Sequence, residues 1–250
     1  MDDATPLEYL TPAIAVPRPA RAPAGSRHVF IDNSNVFGGA RRIILSLDPD
    51  VPANAFRLEY LSLFSLLEGA GPVGTRMFAG AAASNLRRIA EAAGYEADLL
   101  HPIRDSMGKL HEQGVDEILH LKIANALLDY ATPQTLVLAT GDGGESPFHT
   151  SFVAQIDRAL TRGWTVELWS WRKPLSSRLA RQAHMSGGLM TIHELDPYFL
   201  SLTSVRAGRY RVHGKSLELK GRSAAPLPGI VAGAAPVVSA SCESAQVCTA

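Results

Sequence analysis

The chain has 250 residues, of which 46% are hydrophobic, and its 24 basic and 24 acidic residues leave a formal net charge of zero. That length fits one globular domain of ordinary size, and the balanced charge excludes a whole-molecule field that draws in polyanions, so any such binding falls to a local patch. The two cysteines, Cys242 and Cys248, lie near the C-terminus without paired ligands, which argues against a disulfide framework or a zinc site and for a reducing, intracellular compartment.

Residues 1–27 are rich in Pro and Ala (Pro6, Pro12, Pro17, Pro19, Pro23), which predicts a disordered extension. The chain opens with Asp2 and Asp3 rather than a basic region, so no export signal is read. Nowhere does an apolar run approach the roughly 20 residues of a membrane span. His28 to Ile31 reads as a short buried strand feeding a polar loop that holds Gly38 and Gly39. Ala53 to Glu68 carries a helical stripe of Phe56, Tyr60, Leu63, Phe64 and Leu67, closed by Gly69. Thr75 to Phe78 is a second strand, Ser84 to Ala93 a helix capped by Ser84, and Glu96 to Ile103 a third strand. Val115 to Tyr130 is a strong amphipathic helix with Ile118, Leu119, Ile123, Ala126 and Leu127 inward. A strand at Thr135 to Ala139, a helix at Phe148 to Arg162, a strand at Thr165 to Ser170, a helix at Ser177 to His184 and a strand near Met190 to His193 complete the alternation. Such alternation predicts an α/β fold with a mainly parallel sheet covered on both faces.

Beyond Ser204, Arg206 to Arg222 holds six Lys or Arg residues and one acid, after which Ala, Pro, Gly and Ser dominate. The expected organisation is therefore an extension over 1–27, a domain over 28–203 and a flexible tail over 204–250. Two readings of the basic run stand: a solvated tail, or an electrostatic arm for a polyanion.

Chemistry concentrates in three segments: Phe30-Ile31-Asp32-Asn33-Ser34-Asn35, Gly114-Val115-Asp116 and Thr140-Gly141-Asp142-Gly143-Gly144. In an open parallel sheet, ligands sit at the carboxyl ends of the strands where the strand order reverses. If the first and fourth strands are neighbours there, Asp32 and Asp142 open into one crevice, and the helix bearing Asp116 can bring that acid to it. Three carboxylates about 5 Å apart at an effective dielectric near 20 repel by roughly 3 kcal/mol per pair, which hard-ligand cations such as Mg²⁺ or Mn²⁺ relieve. Each acid also has an ordinary reading: Asp116 complements a helix dipole and Asp142 sits in a Gly-rich turn. Asp32, followed by three more polar side chains, is harder to explain as a structural loop.

The segments Phe30 to Val36, Gln113 to Leu119 and Leu138 to Asp142, in that order and on those elements, resemble the NYN domain, a branch of the PIN-like ribonuclease superfamily, and look most like its fungal members. The similarity covers roughly His28 to Ser201. It implies a Rossmann-like, PIN-like three-layer α/β/α sheet, a Mg²⁺ or Mn²⁺ site and cleavage of RNA. Asp32, Asp116 and Asp142 match its metal-binding acids, and Asn35 matches the polar residue after the first. Where many relatives carry further acids, this chain has Gly144, with Glu145 next to it as a substitute ligand, and Lys122, so the ligand set is depleted.

The resulting expectation is metal-dependent RNA hydrolysis at Asp32, Asp116 and Asp142, with Glu145 as a further metal ligand. Asn35, Ser34 and Thr140 position water or phosphate. Arg41, Arg172 and Lys173 grip the RNA, beside Arg42, Arg178 and Arg181, with Trp171 either stacking a base or sitting in the core. Two alternatives stay open: an RNA-binding scaffold without turnover, and an aspartyl-nucleophile phosphohydrolase, for which Ser34 stands where a second acid is wanted. Neither a Walker-type G-x-x-x-x-G-K nor a clean G-x-G-x-x-G follows the first strand.

Overall fold

The structure, a computed structural model, describes residues 25–83, 85–101, 103–104, 110–111, 114–144, 150–212 and 214–228. In chain order the elements are β1 (Arg27–Asp32), α1 (Asn33–Leu47), β2 (Phe56–Leu58), α2 (Tyr60–Glu68), β3 (Val73–Ala81), α3 (Leu86–Ala92), β4 (Glu96–Leu100), β5 (Ile103–Arg104), β6 (Leu110–His111) and α4 (Val115–Asp129). There follow β7 (Thr135–Ala139), α5 (Phe152–Thr161), β8 (Thr165–Ser170), α6 (Ser177–Met185), β9 (Met190–Glu194), a 3₁₀ turn (Asp196–Tyr198), α7 (Phe199–Leu202), β10 (Thr203–Val205), β11 (Gly208–Val212) and β12 (Lys215–Leu219).

The main sheet has the order β4-β3-β1-β7-β8-β9, with every adjacent pair parallel. Counting only these strands, the order is 3-2-1-4-5-6, the doubly wound Rossmann-like arrangement whose switch point lies between the first and fourth strands. Those strands are β1 and β7, paired from Arg27 opposite Thr135 to Ile31 opposite Ala139. The inward alternation of each strand splits the core into two layers. Val29 and Ile31 of β1 and Val137 and Ala139 of β7 face a layer built with α1, α2, α3 and α7. Phe30, Leu136 and Leu138 face the other, built with α4, α5 and α6. Together these make a three-layer α/β/α fold.

Several elements differ from the sequence expectation. The polar stretch after β1 is no loop but the 15-residue helix α1, with Gly38 and Gly39 inside it. Gly39 is there because a Cβ at that position would lie 2.2 Å from Cδ1 of the buried Trp171. The stripe expected as one helix from Ala53 to Glu68 divides: Phe56–Leu58 forms β2, which pairs antiparallel with β10, and the helix starts at Tyr60. The supposed tail is ordered where described. Its β11 and β12 pair antiparallel from Gly208 opposite Leu219 to Val212 opposite Lys215. The backbones of Val205 and Arg222 bond each other at 2.8 and 2.7 Å, closing the hairpin base. The third expected strand ends at Leu100. The Pro/Ala-rich 1–24, the Ser84 cap, Glu145 to His149 and the 229–250 segment lie outside the described residues.

Candidate functional site

At the switch point the C-terminal end of β1 and the N-terminus of α1 meet in one residue. Asp32 is the N-cap of α1: its Oδ1 accepts a hydrogen bond from the Asn35 backbone N–H at 3.0 Å, the usual means of satisfying a first-turn donor. Its Oδ2 accepts from Thr140 Oγ1 at 2.9 Å. A cap on an exposed helix end would stop there, but Asp32 is only 3% exposed. Burial, which disfavours the charged form, pushes its carboxyl up to about 7. The nearby charges of Asp116 and Asp142 act in the same direction, against the two hydrogen bonds.

The loop after β7 is fastened to this corner. Asn35 Oδ1 accepts from the Gly141 N–H at 2.8 Å. Thr140 Oγ1, while donating to Asp32, accepts from the Asp142 N–H at 3.2 Å, so one buried hydroxyl links the two acids' segments. Asp142 Oδ1 accepts from the Gly144 N–H at 2.7 Å. The glycines serve close packing: a Cβ on Gly141 would meet Ser170 Oγ at 2.6 Å and the Pro174 carbonyl oxygen at 2.9 Å, and one on Gly143 would meet Ser176 Cβ at 2.7 Å. A side chain at Gly144 would press on Asp142 Oδ1 at 3.0 Å. The β8–α6 connection is held from the same loop, with Ser176 N–H donating to the Gly141 carbonyl at 2.9 Å.

Between these loops opens a cleft of about 580 Å³, lined by Asn35 and Arg42 of α1, Gly141 to Gly144, Pro174, and Ser176 to Arg178 at the start of α6. Two arginines from different elements thus share the cleft with Asp142. Guanidinium groups match phosphate oxygens in geometry and charge.

The structure brings Asp32, Asn35, Thr140 and Asp142 together, and Asp116, half-buried in the first turn of α4, is near enough for its charge to raise Asp32. Thr140 is fully buried, so it orients Asp32 rather than touching a substrate. Of the expected site residues, Asn35 and Asp142 line the cleft, whereas Asp32, Thr140 and Asp116 are outside its lining, as are Ser34 and the half-buried Arg41 on α1 and the exposed Lys173 in the β8–α6 connection. Arg172 is held elsewhere by Glu194, through Nε at 3.1 Å and Nη2 at 2.6 Å. Trp171 is core: fully buried, its Nε1 donating to the Val36 carbonyl at 2.8 Å. Lys122 pairs with Glu96. Glu145 lies outside the described residues.

One residue that sequence reading passed over is His120, a helical turn beyond Asp116 on α4. It is 4% exposed, with both ring nitrogens unpartnered and its ring edge-on to Phe152 at 4.5 Å. Burial lowers its pKa, although Glu117 and Asp142 pull the other way. Its spacing of four from Asp116 was the available signal.

Among the described residues no group of three or more His, Cys, Asp or Glu side chains converges closely enough to hold a metal ion. Compared with protein-family models, curated proteins and solved structures, the chain matches none. The site is therefore read from its own chemistry.

Proposed function

We propose that the protein is a metal-dependent ribonuclease that hydrolyses RNA phosphodiesters in the cleft beyond the C-terminal ends of β1 and β7, the activity implied by its resemblance to the NYN domain. The observation that carries this reading is Asp32, a buried carboxylate at the switch point whose hydrogen bonds come from neutral donors and whose pKa is raised further by two other acids. A buried anion without a cationic partner is costly. Mg²⁺ commonly binds through one or two carboxylates and completes its shell with waters and substrate phosphates, and the oxygen donors of Asp32 and Asp142, supported by Asp116, fit that pattern. When bound, such an ion polarises the scissile phosphate and lowers the pKa of an attacking water.

The chain's own residues do the rest. Arg42 and Arg178, which line the cleft with Asp142, hold phosphate oxygens. Thr140 keeps one Asp32 oxygen oriented, and Asn35 fixes Gly141 and with it the course of the loop bearing Asp142. The depleted ligand set favours one rival: a protein that holds RNA without cutting it. Gly144 supplies only a backbone N–H, and Lys122 is engaged with Glu96.

Incubation of single-stranded and structured RNA with Mn²⁺ and wild type, Asp32→Asn or Asp142→Asn separates the two. Cleavage by wild type is expected to fall at least ~100-fold in either variant, the equivalent of about 2.7 kcal/mol of transition-state stabilisation. Cleavage that survives both substitutions contradicts the assignment. Binding by all three without cleavage supports the rival.

A further inference from the structure

The molecule is neutral as a whole, but its charge is unevenly distributed along the chain. Arg206 to Arg222 carries six bases against the single acid Glu218, which leaves 18 bases and 23 acids in the remainder. This strongly basic stretch forms the β11–β12 hairpin and its flanks. The strand alternation sorts its residues by face. Tyr210, Val212, Leu217 and Leu219 are half-buried, with Tyr210 and Leu219 packed on the α1 side of the core, while Arg209, Arg211, Ser216 and Glu218 are exposed. Lys215, which opens β12, and Lys220, which follows it, are exposed as well. Among the described residues none of Arg209, Arg211, Lys215 and Lys220 enters an ion pair.

The sixth base explains why the hairpin stands in place. Arg222 donates from Nη1 to the Thr203 carbonyl and from Nη2 to Thr203 Oγ1, both at 2.7 Å, and Tyr210 Oη donates to the Arg206 carbonyl at 3.0 Å. The remaining cations are thus carried on an anchored ribbon.

We propose that this hairpin is a second RNA contact, a surface that holds the phosphate backbone independently of sequence; the choice of RNA as the polyanion rests on the function proposed above. Arg209 and Arg211, two apart on a strand, stand roughly 7 Å from each other on one face, comparable to the spacing of successive phosphates along an extended strand. Among the described residues the outward face has no aromatic ring to stack a base and, apart from Ser216, no neutral polar side chain to read one, so its contacts are with phosphates, which position but do not specify. An anionic membrane fits less well, because interfacial binding wants apolar side chains among the cations, and here those point toward the core. The hairpin packs on the same layer as α1, whose Arg42 borders the cleft.

The test uses the full chain in chelator, with fluorescence anisotropy on single-stranded RNAs of about 20 nucleotides and two unrelated sequences, across a salt series. Relative to wild type, Arg209→Gln/Arg211→Gln/Lys215→Gln flattens the slope of log K against log salt by about 2, at roughly 0.7 per lost phosphate contact. The change is equal for both sequences, and the melting temperature is unaltered. Glu218→Gln, which removes the one acid from that face, tightens binding. An unchanged slope in the triple variant overturns the proposal, and so does binding of wild type to phosphatidylserine vesicles in preference to RNA. A flattened slope with no cleavage by any protein fails the nuclease reading and keeps the hairpin. Cleavage by wild type with an unchanged slope in the triple variant does the reverse.

Discussion

Two buried titratable side chains on β1 respond to acid in opposite directions. His28 is fully buried, its Nδ1 sharing a hydrogen bond with Thr75 Oγ1 at 2.9 Å, its Nε2 unpartnered and its ring against Tyr130 and Trp164. Burial lowers its pKa to about 4. The unfolded chain therefore binds this proton more readily, and the contribution of His28 is complete above its ordinary value of 6.5 and lost as pH falls toward 4, a change of about 3 kcal/mol. Asp32, raised from 3.8 to about 7, has the reverse sign: the folded state prefers the protonated acid, so stability present at low pH is lost as pH rises through 7, by on the order of 4 kcal/mol. In cation-free wild type the two largely offset each other between pH 4 and 7. Urea titrations across that window are expected to show stability rising with pH in Asp32→Asn and falling with pH in His28→Gln. Parallel profiles for the two variants would contradict both assignments. At about pH 8 without cation, Asp32→Asn is expected to be more stable than wild type by up to about 4 kcal/mol.

At the scale of elements, helix α1 gives a matched pair of substitutions. A Cβ at Gly38 would meet nothing within 4 Å, whereas one at Gly39 would overlap the buried Trp171 ring. Gly38→Ala is expected to stabilise by about 0.5–1 kcal/mol through helix propensity, and Gly39→Ala to destabilise by about 1–3 kcal/mol through overpacking, both read by urea unfolding. The same pair shows why the sequence misled. Two adjacent glycines after a strand read as a loop by local rules, and only the long-range contact with Trp171 explains a glycine inside a helix. Thr135 to Ala139 and Thr165 to Ser170 were legible to the residue because apolar runs between turn signals carry their own boundaries. The β2–β10 and β11–β12 pairings were not, since short antiparallel strands owe more to their partners than to local pattern. In the site, Asp32, Asn35 and Asp142 could be picked out from their places at strand ends. Which arginines border the cleft could not, because that depends on helix rotation and on the Arg172–Glu194 pair.

Over the whole molecule, the doubly wound order puts β1 beside β7, so their C-terminal ends share one corner. Acids and arginines gather at that corner, while the hairpin adds a basic face elsewhere on an otherwise acidic chain. No described helix is long and apolar enough to cross a membrane. The central claim is that a divalent cation completes the buried carboxylate at the switch point, and it is tested most directly by thermal melting with and without Mn²⁺ at about pH 8. An ion that binds only the folded state at 100 times its Kd stabilises by about 2.7 kcal/mol, roughly 5–10 °C in Tm for a chain of this size. Wild type is expected to gain that shift, and Asp32→Asn to melt higher than wild type without Mn²⁺ and to be unmoved by it. A wild type indifferent to millimolar Mn²⁺, or an Asp32→Asn that shifts as far as wild type, would contradict the account.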